Sequence, residues 1–365
     1  MNEQSHKLLN RVEIKGFRSI KECKLDLKSI NVLIGANGAG KTNFISIFEM
    51  LQFVLARELA LYTGVKGVPP LLYRGKSVTD SISAEFYFDT FQYSFDLIWT
   101  ENESMLFKGE SLVVAEKELL GAGGHNESNA LNILRKTNNG ADIPQIMLKP
   151  GWRIYRFNNT SSSSQIKEGH NISNNATLMD NARNLAAYLY RLKQQFPKEY
   201  IDILYAVQLV APFFKDFVLK PNVLNEEHIV LRWQEKGCED EFNASQLSDG
   251  TLRFICLVTL LLQPIELQPD IIIIDEPELG LHPYAITVFT ELVKKAATNK
   301  QIILSTQSVE LLNYFDAGDV VVVDKGANGS EFKRLDPNDL AEWLEDDYSL
   351  GELWNKNIFG GRFAQ

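Results

Sequence analysis

Gly35-Ala36-Asn37-Gly38-Ala39-Gly40-Lys41-Thr42 decides the fold, because it matches G-x-x-x-x-G-K-[ST] at every fixed position. The apolar run Ile30-Asn31-Val32-Leu33-Ile34 precedes it, and Phe44, Ile47, Phe48, Leu51 and Leu55 follow at helical spacing. The local order is therefore strand, loop, amphipathic helix. Glycines let such a loop curl without a Cβ clash and aim backbone N–H groups at a phosphate chain lying on the next helix's N-terminus. Lys41 is then placed to reach β- and γ-phosphates, and the Thr42 hydroxyl to join a Mg²⁺ shell of hard oxygen ligands.

Far downstream, Ile271-Ile272-Ile273-Ile274-Asp275-Glu276 is a continuous apolar run closed by two acids, the pattern of a strand covered on both faces. Open α/β sheets bind ligands at the carboxyl ends of their strands. There Asp275 is placed for the metal shell and Glu276 to take a proton from an attacking water. Between loop and acids, Leu247-Ser248-Asp249-Gly250-Thr251 opens a helix that is apolar nearly all round and stops at Pro264, with Ser248 as its N-cap. After the acids, a helix carrying Ala285, Val288, Phe289, Leu292, Val293 and Ala296 leads into the strand Gln301 to Thr306, which ends at Gln307-Ser308. A polar side chain there sits beside the acidic strand and either senses a γ-phosphate or, as Ser305, Thr306 or Ser308, caps the next helix. His282 reads as structural.

Composition sets the frame. The 365 residues are 45% apolar and 23% charged, which suits a globular chain of roughly two domains. Met1 to Lys7 lack an apolar signal core and the longest apolar run, Phe254 to Leu262, is too short to span a membrane, so a cytoplasmic protein without membrane contact is expected. Cys23, Cys238 and Cys256 are far apart and read as reduced packing residues, and the five histidines form no metal-ligand pair. A net charge of −10 argues against a surface that grips nucleic acid throughout. A local basic groove stays open, from Lys149, Arg153 and Arg156 or from Arg183, Arg191 and Lys193, beside the plainer reading of solvated charge.

The remaining segments are supports. Arg11 to Phe17 and Lys24 to Leu27 alternate as a hairpin about a turn at Ser19 to Glu22, and Ile82 to Asp89, Tyr93 to Thr100 and Leu112 to Ala115 read as an antiparallel layer. Gly121 to Gly140 and Asn158 to Asn175 are polar loops flanking the strand Trp152 to Phe157. Asp180 or Asn181 caps a helix with Leu185, Tyr188, Leu189 and Leu192, and Ile201, Leu204, Tyr205 and Leu209 continue the helical pattern after Pro197 without sustained heptads. Ile229, Leu231 and Trp233 alternate as a strand. A last hairpin joins Asp319 to Asp324 with Glu331 to Leu335, and the apolar tail Trp343, Leu344, Leu350, Leu353, Trp354 closes the core or meets a partner.

Phe17-Arg18-Ser19, the P-loop, Leu247-Ser248-Asp249-Gly250, Asp275-Glu276-Pro277-Glu278 with Leu281-His282-Pro283, and Ser305-Thr306-Gln307-Ser308 come in this order. Together they resemble an ABC-type ATPase head of the RecF and SMC group, over about residues 8–60 and 243–325. The ending Tyr348 to Trp354 with Gly360-Gly361 is similar to that of small bacterial ATPases associated with DNA repair and phage defence, related to the ATPase part of OLD-type proteins. The resemblance implies an α/β P-loop NTPase fold: a mostly parallel core sheet, an antiparallel β layer and a short helical lobe. It divides the chain into residues 1–175, 176–243 and 244–365.

It also implies a Mg²⁺-dependent ATPase that forms a head-to-tail homodimer, or a higher homo-oligomer, around two ATP molecules. Gly35, Asn37, Gly38, Ala39, Gly40, Lys41, Thr42, Asn43, Arg18 and Ser19 hold the nucleotide in cis, and Ser248 and Gly250 touch its γ-phosphate in trans. Thr42 and Asp275 hold the metal; Glu276, Lys41 and Gln307 are catalytic. The signature is Ser-Asp-Gly-Thr where transporters have Ser-Gly-Gly-Gln, and Gln307 stands where many relatives have His, which points to slow turnover. Gln165 is the candidate for the metal-contacting glutamine. OLD-type relatives append a TOPRIM nuclease, for which the 45 residues after Val320 are too few, so a nuclease or toxin would be a separate partner. The rival expectation is a nucleotide-gated scaffold that holds such a partner inactive; DNA binding is left open, and a transporter ATPase ranks third.

Overall fold

The computed structural model describes residues 9–114, 116–130, 132, 151–160, 164–340, 343 and 348–360. Lys149, Leu344, Gly361 and, of the Gly121 to Gly140 loop, residues 131 and 133–140 lie outside the described residues. In chain order the elements begin with β1 (Leu9–Phe17), β2 (Ile20–Asp26), β3 (Ile30–Ile34), α1 (Lys41–Ala56) and α2 (Leu59–Lys66). Next come β4 (Ser81–Phe88), β5 (Phe91–Trp99), β6 (Met105–Val114), β7 (Lys117–Ala122), β8 (Trp152–Tyr155) and β9 (His170–Asn171). The middle holds α3 (Leu185–Gln195), α4 (Pro197–Val210), β10 (Phe214–Val218), β11 (Pro221–Asn222), β12 (Asn225–Ile229), β13 (Arg232–Glu235) and β14 (Glu241–Asn243). The chain continues with α5 (Asp249–Leu262), β15 (Ile271–Asp275), α6 (Pro283–Ala296), β16 (Gln301–Thr306), α7 (Val309–Leu312), β17 (Val320–Gly326), β18 (Gly329–Arg334) and α8 (Leu350–Asn355).

The core sheet has the order β18-β17-β3-β16-β15-β8. Every neighbouring pair in it is parallel except the β17–β18 hairpin. This explains the isoleucine run: Ile271 and Ile273 face α1 and the antiparallel sheet, while Ile272 and Ile274 face α5 and α6. All four are at most 1% exposed, and burying a side chain of this size contributes about 1.5–3 kcal/mol. The antiparallel sheet, ordered β2-β1-β4-β5-β6-β7, lies over α1 through Phe44, Phe48, Phe86, Phe95 and Phe107. On the other face α3, α4 and α5 share a core with Phe214, Phe217 and Trp233 of the small sheet β10-β13-β14.

Several local expectations shift. The first turn is tighter than Ser19 to Glu22: Arg18 adopts φ 52°, Phe17 pairs with Ile20, and β2 starts there. The end of β7, Gly121 and Ala122, and all of β9 fall in stretches read as polar loop, held by pairing with β6 and β12. Helix α3 begins after Asn184 rather than at Asp180 or Asn181, because Ala182 takes φ 54° and interrupts the turn. Asn184 instead holds the preceding loop, accepting from Met179 N and donating to the Asn174 and Thr177 carbonyls. The helical pattern after Pro197 is α4, on which Leu204 packs against the core while Ile201, Tyr205 and Leu209 form an exposed stripe. In the tail, Leu350, Leu353 and Trp354 are buried against the core, whereas Trp343 is 37% exposed.

Candidate functional site

The loop after β3 takes the expected shape, with Gly38 at φ 78° and Gly40 at φ 122°, a region that side chains rarely adopt. Its floor is built from remote segments. Ser330 on β18 donates to the Ala39 carbonyl at 2.5 Å and bonds to Ser19 Oγ at 2.7 Å, and Asn43 Nδ2 donates to Ser19 Oγ at 2.6 Å. A Cβ at Gly40 would overlap Ser330 Oγ, and one at Gly35 would overlap the Val323 carbonyl. These two glycines are thus required by close approach. Lys41 Nζ donates to the Gly35 carbonyl and, at 3.1 Å, to that of Ala36, so the ammonium folds over its own loop.

Lys41 also reports what surrounds it. Burial pulls its pKa down, opposed by the charges of Glu276, Asp275 and Glu278, so the acids at the end of β15 face the loop. Asp275 is 7% exposed; Ser305 donates to its Oδ1, and Arg156 Nε lies 3.5 Å from its Oδ2. Glu276 turns with φ 51° and accepts at Oε1 from Gln307 Nε2 at 2.6 Å. Glu278 Oε1 accepts from Thr306 Oγ1 at 2.6 Å and from Gln307 N at 3.2 Å, while its Oε2 is buried without a partner. Burial raises the Glu278 pKa, against the opposing effect of the Thr306 hydrogen bond. Ser308 caps α7 through Leu311 N at 3.2 Å, which leaves Gln307 free to reach Glu276.

The donors available for a metal are hard oxygens: the Asp275 carboxylate and the exposed Thr42 hydroxyl at the start of α1. That set fits Mg²⁺, which takes few protein ligands and keeps its own waters and phosphate oxygens. Arg18 and Ser19, the residues of the first turn, are half-buried beside the loop, with Arg18 Nε unpartnered.

Ser248 caps α5 by accepting from Thr251 N at 3.1 Å and is exposed. Gly250 packs onto the next loop so closely that a Cβ would overlap the Gly280 carbonyl. None of the described contacts of Ser248 or Gly250 reaches the P-loop of the same chain. His282 is a cap, its Nδ1 accepting from Tyr284 N at 3.2 Å.

Three residues of this region escape a reading of the sequence. Arg156 has already been placed on Asp275. Arg253, 4% exposed on α5, donates to the Phe157 carbonyl at 2.9 Å and the Asn158 carbonyl at 3.1 Å, and its Nη1 passes beneath Gly280. Ser330 supports the loop. Only the Arg of the signature helix left a local trace, as a lone charge in an apolar helix. Gln165 sits in a short 3₁₀ turn with Oε1 accepting from Asn181 Nδ2 at 3.4 Å, and the side chain that reaches Asp275 from this part of the chain is Arg156.

Of the cations weighed for a basic groove, Lys149 lies outside the described residues, Arg156 lies beside Asp275, and the others are engaged within the chain. Arg153 donates to Leu178 O, Arg191 to the Asn175 and Ala176 carbonyls, Arg183 to the Met179 sulfur, and Lys193 pairs with Asp216 at 2.9 Å. These cations serve the helical lobe and its flanking loop.

Residues 30–313 match the family described as "AAA domain, putative AbiEii toxin, Type IV TA system". The Old nuclease of Escherichia phage P2 is 25% identical over 385 aligned residues, covering 93% of this chain and 62% of that protein. This chain therefore spans less than two thirds of that relative. The energy-coupling factor transporter ATP-binding protein EcfA2 of Staphylococcus aureus is 36% identical over 105 residues, 27% of this chain and 35% of EcfA2. Among solved structures, an Smc head bound to the C-winged helix domain of ScpA superposes with a TM-score of 0.60 at 14% identity, covering 92% of this chain and 99% of that one. An Smc head with an extended coiled coil from Pyrococcus furiosus gives 0.57, again at 14% identity, over 93% and 99% of the two chains. The fold is that of an SMC-type ATPase head.

Proposed function

The chain belongs to the AAA-domain family that it matches over residues 30–313, and from that premise we propose that it hydrolyses ATP with Mg²⁺ in a composite site completed by a second copy of itself. Coarsely, it is an ATP-binding protein of AAA/ABC type related to the Old nuclease and to SMC heads. The observation that carries the finer reading is the Glu276–Gln307 contact at the mouth of a correctly formed P-loop.

Lys41 exchanges its two loop carbonyls for the phosphate chain, and Arg18, Ser19, Asn43 and the loop N–H groups from Gly35 to Thr42 hold the same anion. The metal, held by Thr42 and Asp275, would neutralise charge on the phosphate oxygens. Glu276 accepts the proton of the attacking water at Oε2, since Gln307 occupies Oε1. Ser248 and Gly250 present the N-terminus of a two-faced buried helix to the γ-phosphate of the partner copy. ATP thus joins two heads and hydrolysis releases them, a cycle that would serve a DNA repair or phage-defence process.

Glu276→Gln should trap an ATP-bound dimer that light scattering detects. A variant that stays monomeric at saturating ATP refutes the composite site. A second reading, a nucleotide-gated scaffold for a separate toxin or nuclease, is favoured by the exposed stripe Ile201, Tyr205 and Leu209 on α4. Partner-independent turnover well above about once per minute would count against it, on the usual scale of enzyme rates.

A further inference from the structure

Arg156 follows β8, which runs parallel to β15 with Tyr155 opposite Ile274, so its side chain arrives at the level of Asp275. Asp275 is nearly buried, and an ionised carboxylate in that position needs a compensating charge. Ser305 supplies one neutral hydrogen bond; the nearest cation among the described residues is Arg156, through a single Nε contact of 3.5 Å to Oδ2. That contact is long, and the planar fork of the guanidinium is not engaged as it is in a bidentate pair. The side chain is 38% exposed, so it is free to leave. The anion it would go to is the nucleotide's phosphate chain: Lys41 of the P-loop and Asp275 lie within electrostatic reach of each other, and Arg18 and Arg156 both lie within reach of the buried Tyr62 hydroxyl. Two guanidinium groups on the P-loop side of the site, one of them with an unpartnered Nε, form a surface for phosphate.

We propose that Arg156 is the resident counter-ion of Asp275, displaced when metal and nucleotide enter together and then paired with the nucleotide's phosphates. The inference rests on the site reading above and adds a coupling to it. Metal alone must compete with a positive charge already in place. Metal with nucleotide gives that charge a better partner. Arg156 therefore makes metal binding dependent on nucleotide, and by linkage nucleotide binding dependent on metal.

The test is Mn²⁺ affinity of the full chain by electron paramagnetic resonance, with and without ADP, which removes hydrolysis from the readout. Arg156→Gln should bind Mn²⁺ alone about three- to tenfold more tightly than the parent, as expected for removing one charge near a partly exposed site, and the gain on adding ADP should shrink. Arg156→Lys, which keeps the charge, should stay near the parent. Unchanged Mn²⁺ affinity in Arg156→Gln, or an equal change in both variants, overturns the counter-ion role. Asp275→Asn is the separate control: if it binds Mn²⁺ as the parent does, the site reading itself fails, whatever the Arg156 variants do.

Discussion

Gln307 Nε2 lies 2.6 Å from Glu276 Oε1, tying the end of β16 to the end of β15. An amide in this place orients the carboxylate without adding a titratable charge. Replacing Gln307 with Ala removes one charge-assisted hydrogen bond, so kcat should fall about tenfold with little change in KM. Gln307→His should introduce a new limb near about pH 6.5 in the kcat profile that the parent lacks. A parent profile already carrying that limb, or a Gln307→Ala variant with unchanged kcat, would contradict the assignment.

Gly40 faces Ser330 where its Cβ would be, at φ 122°. Gly40→Ala combines backbone strain of about 1–3 kcal/mol with a steric overlap of similar size. It should abolish binding of a fluorescent ATP analogue and lower the melting temperature by several degrees. Adding Ser330→Gly should recover the steric part of the melting temperature but not nucleotide binding, because the loop then loses the hydrogen bond at Ala39. Strict additivity of the two substitutions would show that they do not touch.

Arg253 leaves two backbone carbonyls unsatisfied when removed. Arg253→Met keeps apolar bulk but strands Phe157 O and Asn158 O, and should cost about 2–4 kcal/mol in a urea titration. Ser248→Ala, by contrast, removes only a cap and should cost about 1 kcal/mol. If turnover falls far more than this in Ser248→Ala while monomer stability moves only by the cap term, the residue has a role beyond its own helix.

Burial pushes the thiols of Cys23 and Cys256 up to about 12, with nearby Glu13 adding to the shift at Cys23 and Arg253 opposing it at Cys256. Only thiolate reacts with a disulfide reagent, so at pH 8 the native chain should expose one reactive thiol, Cys238, and three in denaturant. In the unfolded chain these thiols ionise near about pH 8.5, whereas in the fold they stay neutral, so stability is lost as pH rises from there towards 12. Rapid native labelling of three thiols would refute the packing.

The P-loop, the acidic strand and the cap at Ser248 were legible because each is a local pattern of a few consecutive residues. The core sheet was legible too, since an isoleucine run has no use for a solvated face. What escaped depends on distance along the chain. Arg156 is 119 positions from Asp275, Arg253 is 96 from Phe157, and Ser330 is 291 from Ala39. No window of sequence shows those meetings, and Arg156 had looked like one of several interchangeable surface cations. The start of α3 was misjudged for a nearer reason: Asn184 has side-chain work to do in the preceding loop, and the left-handed Ala182 breaks a helical pattern that apolar spacing alone would extend.

Strand β3, which ends in the P-loop, pairs with β16 and β17, and its loop rests on Ser330. A ribosome adds Ala39 to the chain 291 positions before Ser330. Until β18 is made, the loop therefore lacks the Ser330 hydrogen bond at the Ala39 carbonyl.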